Sequence, residues 1–428
     1  MSQILTTRMT AYPADSNTLQ RYEETGGYRV LRKALAEMTP ESIQAEVKAA
    51  NLRGRGGANF PCGVKWGFLA PAEPRYLVIN ADESEPGTFK DRQLLERDPH
   101  QLIEGVIISA FALGVHQAFI YVRGEYPRPA RRVQRAIDEA YAAGYLGADV
   151  LGSGFDLEVT VHLGGGAYIC GEETALLNSL EGRRGEPRLK PPFPAVEGLY
   201  SKPTIVNNVE TISNVPWIIN NGGIAYASIG PERSAGTRLI SLSGHINNPG
   251  NYEIVMGMPW RDLIYELGGG IPDGRALKAW IPGGSSAPWF VPEEHLDTPV
   301  TIDDVGAHGS MMGSGAIIVM DDSTNVVAAA HRIVRFYAHE SCGQCTPCRE
   351  GTTWLERIFN RILSGQGRMS DIDLLLDVSD GISPGLAWPP VMTTICPLGP
   401  SATAPVTSLM QFFRDEVEAM ISNGVGDV

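Results

Sequence analysis

Four of the six cysteines have a spacing that could hold an iron–sulfur cluster. Cys342, Cys345 and Cys348 form a C-x-x-C-x-x-C segment, and Cys396 follows much later in the chain. Three closely spaced thiolates can each bind one iron of a cubane, and a distant fourth cysteine can bind the last iron. A structural zinc site is one alternative, although such sites usually show paired C-x-x-C segments. Cysteines that merely fill the core are the other alternative.

Composition restricts the class of protein. The chain has 428 residues, and its 35 basic and 49 acidic side chains give a formal net charge of −14. This charge disfavours binding to duplex nucleic acid or directly to anionic lipid. The sequence predicts neither a transmembrane helix nor a signal peptide, so we expect a reducing compartment. Cys62 and Cys170 lack ligand spacing and are expected to be small buried residues.

A glycine-rich loop at 51–66 could bind a phosphate. Unobstructed backbone N–H groups beside cations favour anions. The residues concerned are Gly54, Gly56, Gly57, Arg53, Arg55 and Lys65. The loop is not a Walker A motif, since it has no GK[ST]. It also differs from a dinucleotide-binding fingerprint, because Asn59 replaces the third glycine and a helix is predicted before the loop. A surface turn with incidental charge is the alternative.

Acidic and amide side chains follow two predicted strands. The loop at 79–92 follows the strand at 75–80, and the loop at 162–182 follows a later strand. Because open α/β sheets bind ligands at the carboxyl ends of their strands, we expect both loops at one crevice. Their candidate residues are Asn80, Asp82, Glu83, Ser84, Glu85, Tyr168, Gly171, Glu172 and Glu173. The alternative for Glu172 and Glu173 is simply a favourable place in a first helical turn.

Two further loops carry candidate ligand groups. The proline-rich loop at 186–195 bears Lys190 and Phe193, and the segment at 202–212 offers Asn207, Asn208 and Thr211. For the second segment, an ordinary loop with a helix cap is the alternative.

The elements that must position these groups fall into four regions. Residues 1–50 are predicted to be mainly helical, and strands alternate with helices from 51 to 230, which indicates a parallel α/β sheet. The segment 102–122 is expected to be a buried helix that leads into a strand. Residues 236–320 form a compact α+β pattern. Helical patterns return at 325–340, 349–365, 370–382 and 405–421, which suffices for a small bundle.

The chain resembles the NADH-binding flavoprotein subunits, called F subunits, of bacterial NADH-quinone oxidoreductase (respiratory complex I). The resemblance covers residues from about 20 to 420 and rests, in order, on NLRGRGGANFPCGVKW, NADESEPGTFKDR, GAYICGEETALL, LKPPFPA, KPTIVNNVET, SCGQCTPCREG and ICPLG. It implies an α/β fold with a Rossmann-like FMN-binding domain, a ubiquitin-like β-grasp (SLBB-type) domain and a C-terminal four-helix bundle carrying an iron–sulfur cluster. The implied domains are a helical segment with the glycine-rich loop (1–60), the FMN/NADH domain (61–230), the β-grasp domain (231–322) and the bundle (323–428).

The resemblance also implies which residues bind each group. The FMN-binding positions are Gly54, Arg55, Gly56, Lys65, Asn80, Asp82, Ser84, Tyr168, Gly171, Glu172, Val206, Asn207, Asn208 and Thr211. The NADH-binding positions are Phe60, Phe68, Glu85, Glu173, Lys190 and Phe193. One [4Fe-4S] cluster is expected on Cys342, Cys345, Cys348 and Cys396. The chain departs from the family pattern at Asn59, Cys62 and Pro397, and Asn59 is expected to have a positive φ.

The implied activity is NADH oxidation by hydride transfer to FMN, followed by single-electron transfer to the cluster and toward quinone. FMN carries the hydride chemistry, so no catalytic acid–base side chain is expected. Glu173 is expected to favour NADH over NADPH through the ribose 2′-hydroxyl. The expected partners are a thioredoxin-like [2Fe-2S] subunit and a large iron–sulfur subunit, on the cytoplasmic side of the inner membrane. The alternatives are a diaphorase subunit of an NAD-reducing hydrogenase or formate dehydrogenase, and a non-catalytic zinc/β-grasp scaffold.

Overall fold

The computed structural model describes residues 3–386 and 388–424 and divides them into two compact units. The first unit contains residues 3–84, 88–240 and 251–257, and the second contains 85–87, 241–250 and the described residues from 258 onward. The four predicted domains 1–60, 61–230, 231–322 and 323–428 remain a prediction. Residues 1, 2, 387 and 425–428, which belong to the first and last of these, lie outside the described residues.

The first unit contains a four-stranded parallel sheet surrounded by helices. Its strands are β1 (Tyr76–Ala81), β2 (Gln117–Val122), β3 (Glu158–Leu163) and β4 (Thr204–Asn208). Its helices are α1 (Thr7–Ala11), α2 (Leu19–Glu24), α3 (Arg29–Glu37), α4 (Pro40–Ala49), α5 (Cys62–Trp66), α6 (Lys90–Arg97), α7 (Pro99–Leu113), α8 (Pro127–Ala142), α9 (Glu173–Leu180), α10 (Val209–Ser213), α11 (Val215–Asn221) and α12 (Gly223–Ala227). The alternation predicted for residues 51–230 is therefore confirmed.

Local sequence explains where the main helices begin and end. Thr39 and Ser42 form a reciprocal capping box at α4, with Pro40 in the first turn. Helix α7 is apolar on nearly every side and almost entirely buried, as a helix at the centre of a core should be. It ends at Gly114, whose left-handed conformation (φ 63°) closes the last turn. The predicted helix and strand within 102–122 are thus α7 and β2.

The second unit combines a small sheet with a helical bundle. The remaining strands are β5 (Thr237–Gly244), β6 (Gly250–Val255), β7 (Leu277–Ile281) and β8 (Ala316–Asp321), and β5 and β6 have residues in both units. The second half of β5 runs parallel to β8, and β8 runs antiparallel to β7. The remaining helices are α13 (Pro292–His295), α14 (Ile302–Ala307), α15 (Val326–Glu340), α16 (Thr346–Arg361), α17 (Ser370–Ile382), α18 (Leu398–Phe412) and α19 (Arg414–Gly424).

Helices α15, α16, α17 and α18 pack against one another as the predicted four-helix bundle. The predicted boundary of the last segment, 405–421, was wrong. The chain is already helical from Leu398, with Pro405 inside α18, and the helix breaks at Phe413 (φ −137°, ψ 25°) before α19 begins. Short 3₁₀ turns occur at Val150–Gly152, Tyr168–Gly171, Leu199–Ser201, Glu232–Ser234 and Pro272–Gly274, and π-helical turns at Asp262–Leu267 and Ile362–Gln366. Within the described residues, every helix is too short or too polar to cross a membrane.

Candidate functional site

The strand order of the first unit creates a crevice between β1 and β4. The sheet order is β3-β2-β1-β4, so the chain builds β2 and β3 on one side of β1 and then returns to the other side with β4. Such a reversal of direction opens a ligand crevice at the carboxyl ends of the two strands. Asn80 and Asn208 are direct partners across this pair of parallel strands. Two predicted ligand residues from distant parts of the sequence therefore meet at the crevice.

The amide side chains at these strand ends are held by hydrogen bonds. Asn80 donates from Nδ2 to the carbonyl of Gly171 (2.9 Å), which ties the end of β1 to the loop before α9. Asn207 accepts from the indole N–H of Trp66 at 2.9 Å, and its side chain is buried. The Trp66 contact was not predicted, because nothing local in the sequence pairs α5 with β4. These fixed amides can offer both donors and acceptors to a planar polar ligand.

Asp82, Ser84, Tyr168 and Val206 lie beside the same strand ends. The backbone N–H of Asp82 donates to Asn80 Oδ1 at 3.1 Å, so the turn after β1 is closed locally. Ser84 Oγ lies 3.5 Å from the carbonyl of Tyr168, in the 3₁₀ turn before α9. Val206 is paired with Val78 inside the sheet. The first unit therefore brings these four predicted residues close to the Asn80–Asn208 pair.

The glycine-rich loop forms a narrow hairpin. The N–H of Gly54 donates to the carbonyl of Phe60 at 2.9 Å, and Arg53 and Pro61 form an antiparallel bridge at its base. Asn59 has φ 53°, as expected for the residue that replaces a glycine of the family pattern. Its side-chain oxygen accepts from the Arg238 guanidinium at 2.9 Å. The substitution is therefore accommodated by a left-handed backbone and a partly buried hydrogen bond.

The charged side chain of Arg55 points away from the phosphate site that the loop sequence suggested. Its side chain is buried, and its guanidinium donates to the carbonyls of Ala235 and Thr237, at 3.0 Å each. Its backbone N–H donates to Thr211 Oγ1 at 2.9 Å. These carbonyl acceptors lie far away in the sequence and could not be predicted from the loop. In the described conformation, Arg55 fastens the loop through its side chain, and only its backbone remains part of the loop.

The loop comes closest to β4 at Gly56. A Cβ atom on Gly56 would lie 3.0 Å from Cβ of Asn208. Across the crevice, a Cβ on Gly171 would lie 3.6 Å from the carbonyl oxygen of Asp82. Close approach of bare backbone suits a flat, phosphorylated ligand, whose phosphate takes N–H donors and whose ring lies on glycine backbone. The residues present therefore fit FMN.

A compact ion cluster lies beside the glycine loop. Lys65 Nζ is 2.8 Å from Glu173 Oε2, and Lys190 Nζ is 3.2 Å from Glu173 Oε1 and 2.7 Å from Glu172 Oε1. Burial alone would raise the pKa of Glu173, but the two ammonium groups hold it below its ordinary value. The same carboxylates raise the pKa of Lys190 against the effect of its burial. Glu173 is thus an anion between two cations.

Glu172 also has a structural role. It is the N-cap of α9, and its Oε2 accepts from the N–H groups of Thr174 and Ala175 at 2.8 and 2.9 Å. The helix-start alternative is therefore correct for one oxygen of Glu172, while the other oxygen pairs with Lys190. Glu172 consequently positions Lys190 within the ion cluster.

Three aromatic side chains are exposed near these groups in the sequence. Phe60, Phe68 and Phe193 are 47%, 59% and 57% exposed. The rings of Phe60 and Phe68 lie 6.3 Å apart and are tilted, so they do not cover each other's faces. Large exposed aromatic rings are costly to leave in water and commonly mark binding surfaces. A nucleobase is a suitable partner because it can stack on such rings.

Glu85 belongs to the second unit, unlike the other predicted NADH contacts. Its Oε1 accepts from the N–H of Ser286 at 2.8 Å and from Ser285 Oγ at 3.1 Å. Ser285 Oγ is in turn 2.9 Å from the hydroxyl of Tyr337 on α15. The two neighbours Ser84 and Glu85 thus belong to different units, which the continuous acidic loop of the sequence did not indicate.

The cysteine segment lies at the start of α16 in the second unit. Cys345 is the N-cap of α16, and Cys348 lies in its first turn. The helix begins at Thr346, earlier than the predicted 349, so its N-terminal N–H groups lie closer to the cysteines. The backbone N–H of Ile395 donates to Cys345 Sγ at 3.3 Å, which brings the loop of Cys396 to the same place.

The thiols have surroundings suited to a cluster. Ser341 Oγ lies 3.2 Å from Cys348 Sγ, and Cys348 and Cys396 are buried. Burial raises the pKa of the Cys348 thiol, and neighbouring Cys342 and Cys345 add to the shift. Iron binds the thiolate form, so cluster binding at this site would release these protons. Among the described residues, no three His, Cys, Asp or Glu side chains are arranged to hold a single metal ion.

Cys62 and Cys170 are buried as predicted, in the first unit. Burial raises the pKa of Cys62 to about 12, so its thiol stays protonated and unreactive.

Comparison with known proteins identifies the regions in which these residues lie. The family description "Nuo51 FMN-binding domain" matches residues 47–217, "SLBB domain" matches 239–288, and "NADH-ubiquinone oxidoreductase-F iron-sulfur binding region" matches 328–420. The F subunit of NADH-quinone oxidoreductase from Mycobacterium bovis is 53% identical over 413 residues, which cover 95% of this chain and 90% of that protein. An F subunit of the same enzyme from Rhizobium meliloti, one of a numbered set in that organism, is 51% identical over 409 residues, covering 95% of each.

A solved structure is similar as well. A chain of an NAD⁺-reducing [NiFe]-hydrogenase in the H2-reduced state matches 94% of this chain with a TM-score of 0.84 and 34% identity. The present chain spans 66% of the length of that hydrogenase chain. The identities to the curated relatives extend over nearly the whole sequence and include both cofactor regions. The chain therefore belongs to the F-subunit family of NADH-quinone oxidoreductase, with an FMN-binding domain and a [4Fe-4S]-binding region.

Proposed function

We propose that this chain is the electron-input subunit of a respiratory NADH-quinone oxidoreductase, in which NADH is oxidised and electrons leave toward quinone. Bound FMN supplies a hydride acceptor, and the [4Fe-4S] cluster supplies a one-electron carrier. The observation that carries the proposal is the Asn80–Asn208 pair at the reversal of the parallel sheet, which the glycine loop approaches closely at Gly56. This is a site for a flat phosphorylated cofactor in a chain of the F-subunit family.

The FMN would be held by residues of the first unit. Lys65 and the backbone N–H of Gly56 suit its phosphate, and the amides of Asn80 and Asn208 suit the polar edge of its ring. We assign the remaining contacts to Arg55 (through its backbone), Asp82, Ser84, Tyr168, Gly171, Glu172, Val206, Asn207 and Thr211. Their common role is to bind and orient, because hydride transfer requires no acid–base side chain.

The NADH would use the exposed aromatic rings and the ion cluster. Phe60, Phe68 and Phe193 offer faces for the adenine, and this stacking orients the dinucleotide without involving the reacting atoms. Glu173 would accept from the adenosine ribose, flanked by Lys190. Glu85 is proposed as a further contact, with its carboxylate fixed by Ser285 and Ser286.

The cluster would be bound by Cys342, Cys345, Cys348 and Cys396. The N-terminal turn of α16 stabilises negative charge at this position. We further propose the domain limits 1–60, 61–230, 231–322 and 323–428, which agree in order with the matched FMN, SLBB and iron–sulfur regions.

The finer assembly is also a proposal. Electrons that reach one cluster need further carriers, so we propose a thioredoxin-like [2Fe-2S] subunit and a large iron–sulfur subunit as partners. The chain would then be cytoplasmic and peripheral on the inner membrane as part of the complex. Rapid quinone reduction by the isolated chain would contradict this arrangement.

The test is an anaerobic titration. The full chain is purified, reconstituted with FMN, iron and sulfide, and titrated with NADH while its visible and EPR spectra are recorded. The expected result is loss of flavin absorbance followed by the signal of a reduced cluster. Failure of NADH to bleach the flavin, or a zinc-containing colourless protein, would contradict the proposal.

A second candidate is the diaphorase subunit of an NAD-reducing hydrogenase, favoured by the structural match to such an enzyme. Both functions share the NADH chemistry and differ in the final electron acceptor. Deletion of the chain in its own cell separates them: loss of NADH-dependent quinone reduction by membranes supports the first function, and loss of hydrogen-dependent NAD⁺ reduction supports the second.

A further inference from the structure

A buried network of charged side chains lies directly behind the FMN crevice. It contains three carboxylates and three cations, all almost completely buried in the first unit: Glu83, Asp91, Glu210, Lys90, Arg55 and Arg238. Lys90 Nζ is 2.9 Å from Asp91 Oδ1 and 2.6 Å from Glu210 Oε2. The second oxygen of Asp91 accepts from Asn208 Nδ2 at 2.6 Å. The network therefore ends on one of the two paired asparagines of the crevice.

Such a network is a poor device for stability alone. Removing several charges from water costs more than their mutual attraction usually returns, and well-packed apolar residues would often serve as well. Burial raises the pKa of Asp91, and Lys90 opposes this shift. Burial alone would lower the pKa of Lys90, but Asp91 and Glu210 raise it above its ordinary value. The ion pair between Lys90 and Asp91 thus opposes the effect of burial on both groups.

The hydrogen bonds fix the orientation of the Asn208 amide. An ionised carboxylate can only accept, so the NH2 group of Asn208 must face Asp91. The Asn208 oxygen then faces α10, where it accepts from the N–H of Thr211 at 3.2 Å. Within residues 3–386 and 388–424, the second hydrogen of Asn208 Nδ2 has no hydrogen-bond partner. Gly56 packs against Cβ of the same residue, so the side chain has little freedom to rotate.

We propose that Asp91, charged through its ion pair with Lys90, is a positioning residue that presents the second N–H of Asn208 to FMN. The inference rests on the proposed FMN site and adds to it the residue that orients one of its donors. Asp91 itself is buried behind Asn208 and acts only through that amide. Lys90 does not contact Asn208 in this scheme and contributes by its ion pair with Asp91.

The test measures FMN affinity, not turnover. Apoprotein of the full chain is titrated with FMN, and quenching of flavin fluorescence gives the dissociation constant. Asp91→Asn removes the charge that orients the amide and is expected to weaken FMN binding by roughly tenfold or more. Glu96→Gln, on the same helix and outside the network, is the matched control and should leave the constant unchanged.

A double-mutant cycle separates positioning from a general structural effect. In an Asn208→Ala background, Asp91→Asn should weaken FMN binding by less than about twofold, because the amide it orients is gone. Equal effects of Asp91→Asn in both backgrounds, or no effect in the parent, would overturn the inference.

The exchanged variant Asp91→Asn/Asn208→Asp guards against a folding failure. It keeps one carboxylate and one amide in the same hydrogen bond, so the melting temperature should recover. FMN affinity should stay low, because a carboxylate now stands where the amide donor is needed. Recovery of both quantities would overturn the inference. An unsubstituted chain that binds no FMN would overturn the proposed function as well, whereas normal binding by the parent and unchanged binding by Asp91→Asn would overturn this inference alone.

Discussion

Lys65 Nζ and Glu173 Oε2 lie 2.8 Å apart, so a cation next to the glycine loop is neutralised by the first residue of α9. Lys190 completes the cluster from the other side of the carboxylate. Removal of the Glu173 charge would leave Lys65 without this partner, whereas Lys190 would keep its ion pair with Glu172.

Glu173→Gln should narrow the preference for NADH over NADPH by about tenfold, an effect of about 1.4 kcal/mol. The reason is that the 2′-phosphate would lose a repulsive carboxylate, and Lys65 would lose the partner that neutralises it. The measurement is the ratio of kcat/KM for the two coenzymes, with Glu186→Gln as control. An unchanged ratio would reject this role for Glu173.

Phe68→Ala should raise the KM for NADH with little change in kcat. The ring is 59% exposed, so its removal should not affect folding, and loss of one stacking surface is worth about 1–3 kcal/mol. Steady-state kinetics give the two parameters, and Ile224→Ala, at 73% exposure, is the control. A decrease in kcat at constant KM would contradict a role in adenine binding.

Gly56→Ala should clearly weaken FMN binding, whereas its melting temperature should change little. The new methyl group would lie 3.0 Å from Cβ of Asn208 and would displace either that residue or the loop. Gly306→Ala is the control, since a Cβ at Gly306 has no atom within 4 Å. The two variants are compared by their flavin content after purification. Equal flavin content would contradict the claim that the close approach of Gly56 to Asn208 matters for FMN binding.

Cys396→Ser should abolish the intact [4Fe-4S] cluster while leaving FMN bound. The fourth ligand comes from a separate loop, so its loss should not unfold the first unit, which holds the flavin site. Iron and sulfide analysis, with EPR of the reduced protein, provides the measurement. Cys170→Ser, in the first unit, should retain full iron; a Cys396→Ser protein with normal cluster signals would refute the assignment.

The buried carboxyl of Glu83 predicts a pH dependence of stability. Burial raises the pKa of Glu83 from 4.5 to about 7, although it accepts from the N–H groups of Asp91 and Arg92. Because the folded state holds this proton more tightly than the unfolded state, Glu83 stabilises the fold at low pH. That contribution is lost as the pH rises from about 4.5 through 7, by on the order of 3 kcal/mol in total.

Glu83→Gln removes this loss, so its stability relative to the parent should increase between pH 5 and pH 8. Urea unfolding of the cofactor-free protein at the two pH values tests the sign. As a control, Glu266→Gln at an exposed position should have the same free energy of unfolding as the parent at both pH values. A relative stability that decreases toward pH 8 would show that the pKa of Glu83 is lowered instead.

The sequence predicted the main architecture because that information is local. Apolar runs in β1 and β2 indicate buried parallel strands, and the Pro40 and Gly114 signals mark where α4 begins and α7 ends. The cysteine spacing likewise predicted the iron–sulfur region that the family comparison confirms.

What the sequence could not predict depends on contacts between distant residues. The charge and position of Arg55 indicated a phosphate ligand, yet the carbonyls of Ala235 and Thr237 hold its guanidinium. Charged residues such as Lys90 and Asp91 ordinarily form a solvated helix start, yet tertiary packing buries both. The break at Phe413 lies in a stretch whose helical spacing of apolar residues is uninterrupted, so periodicity alone predicted one helix where the chain forms two.

The in-register pairing of Asn80 with Asn208 makes strand alignment itself a determinant of cofactor chemistry. Deleting one residue between Thr204 and Asn207 would carry Val209 into the place opposite Asn80. The sheet would keep nearly the same apolar content, yet an amide would be exchanged for an aliphatic group, and the faces of the shifted residues would be reversed. In this fold a slip of about 3.3 Å along one strand would be enough to remove one of the two paired amides from the crevice.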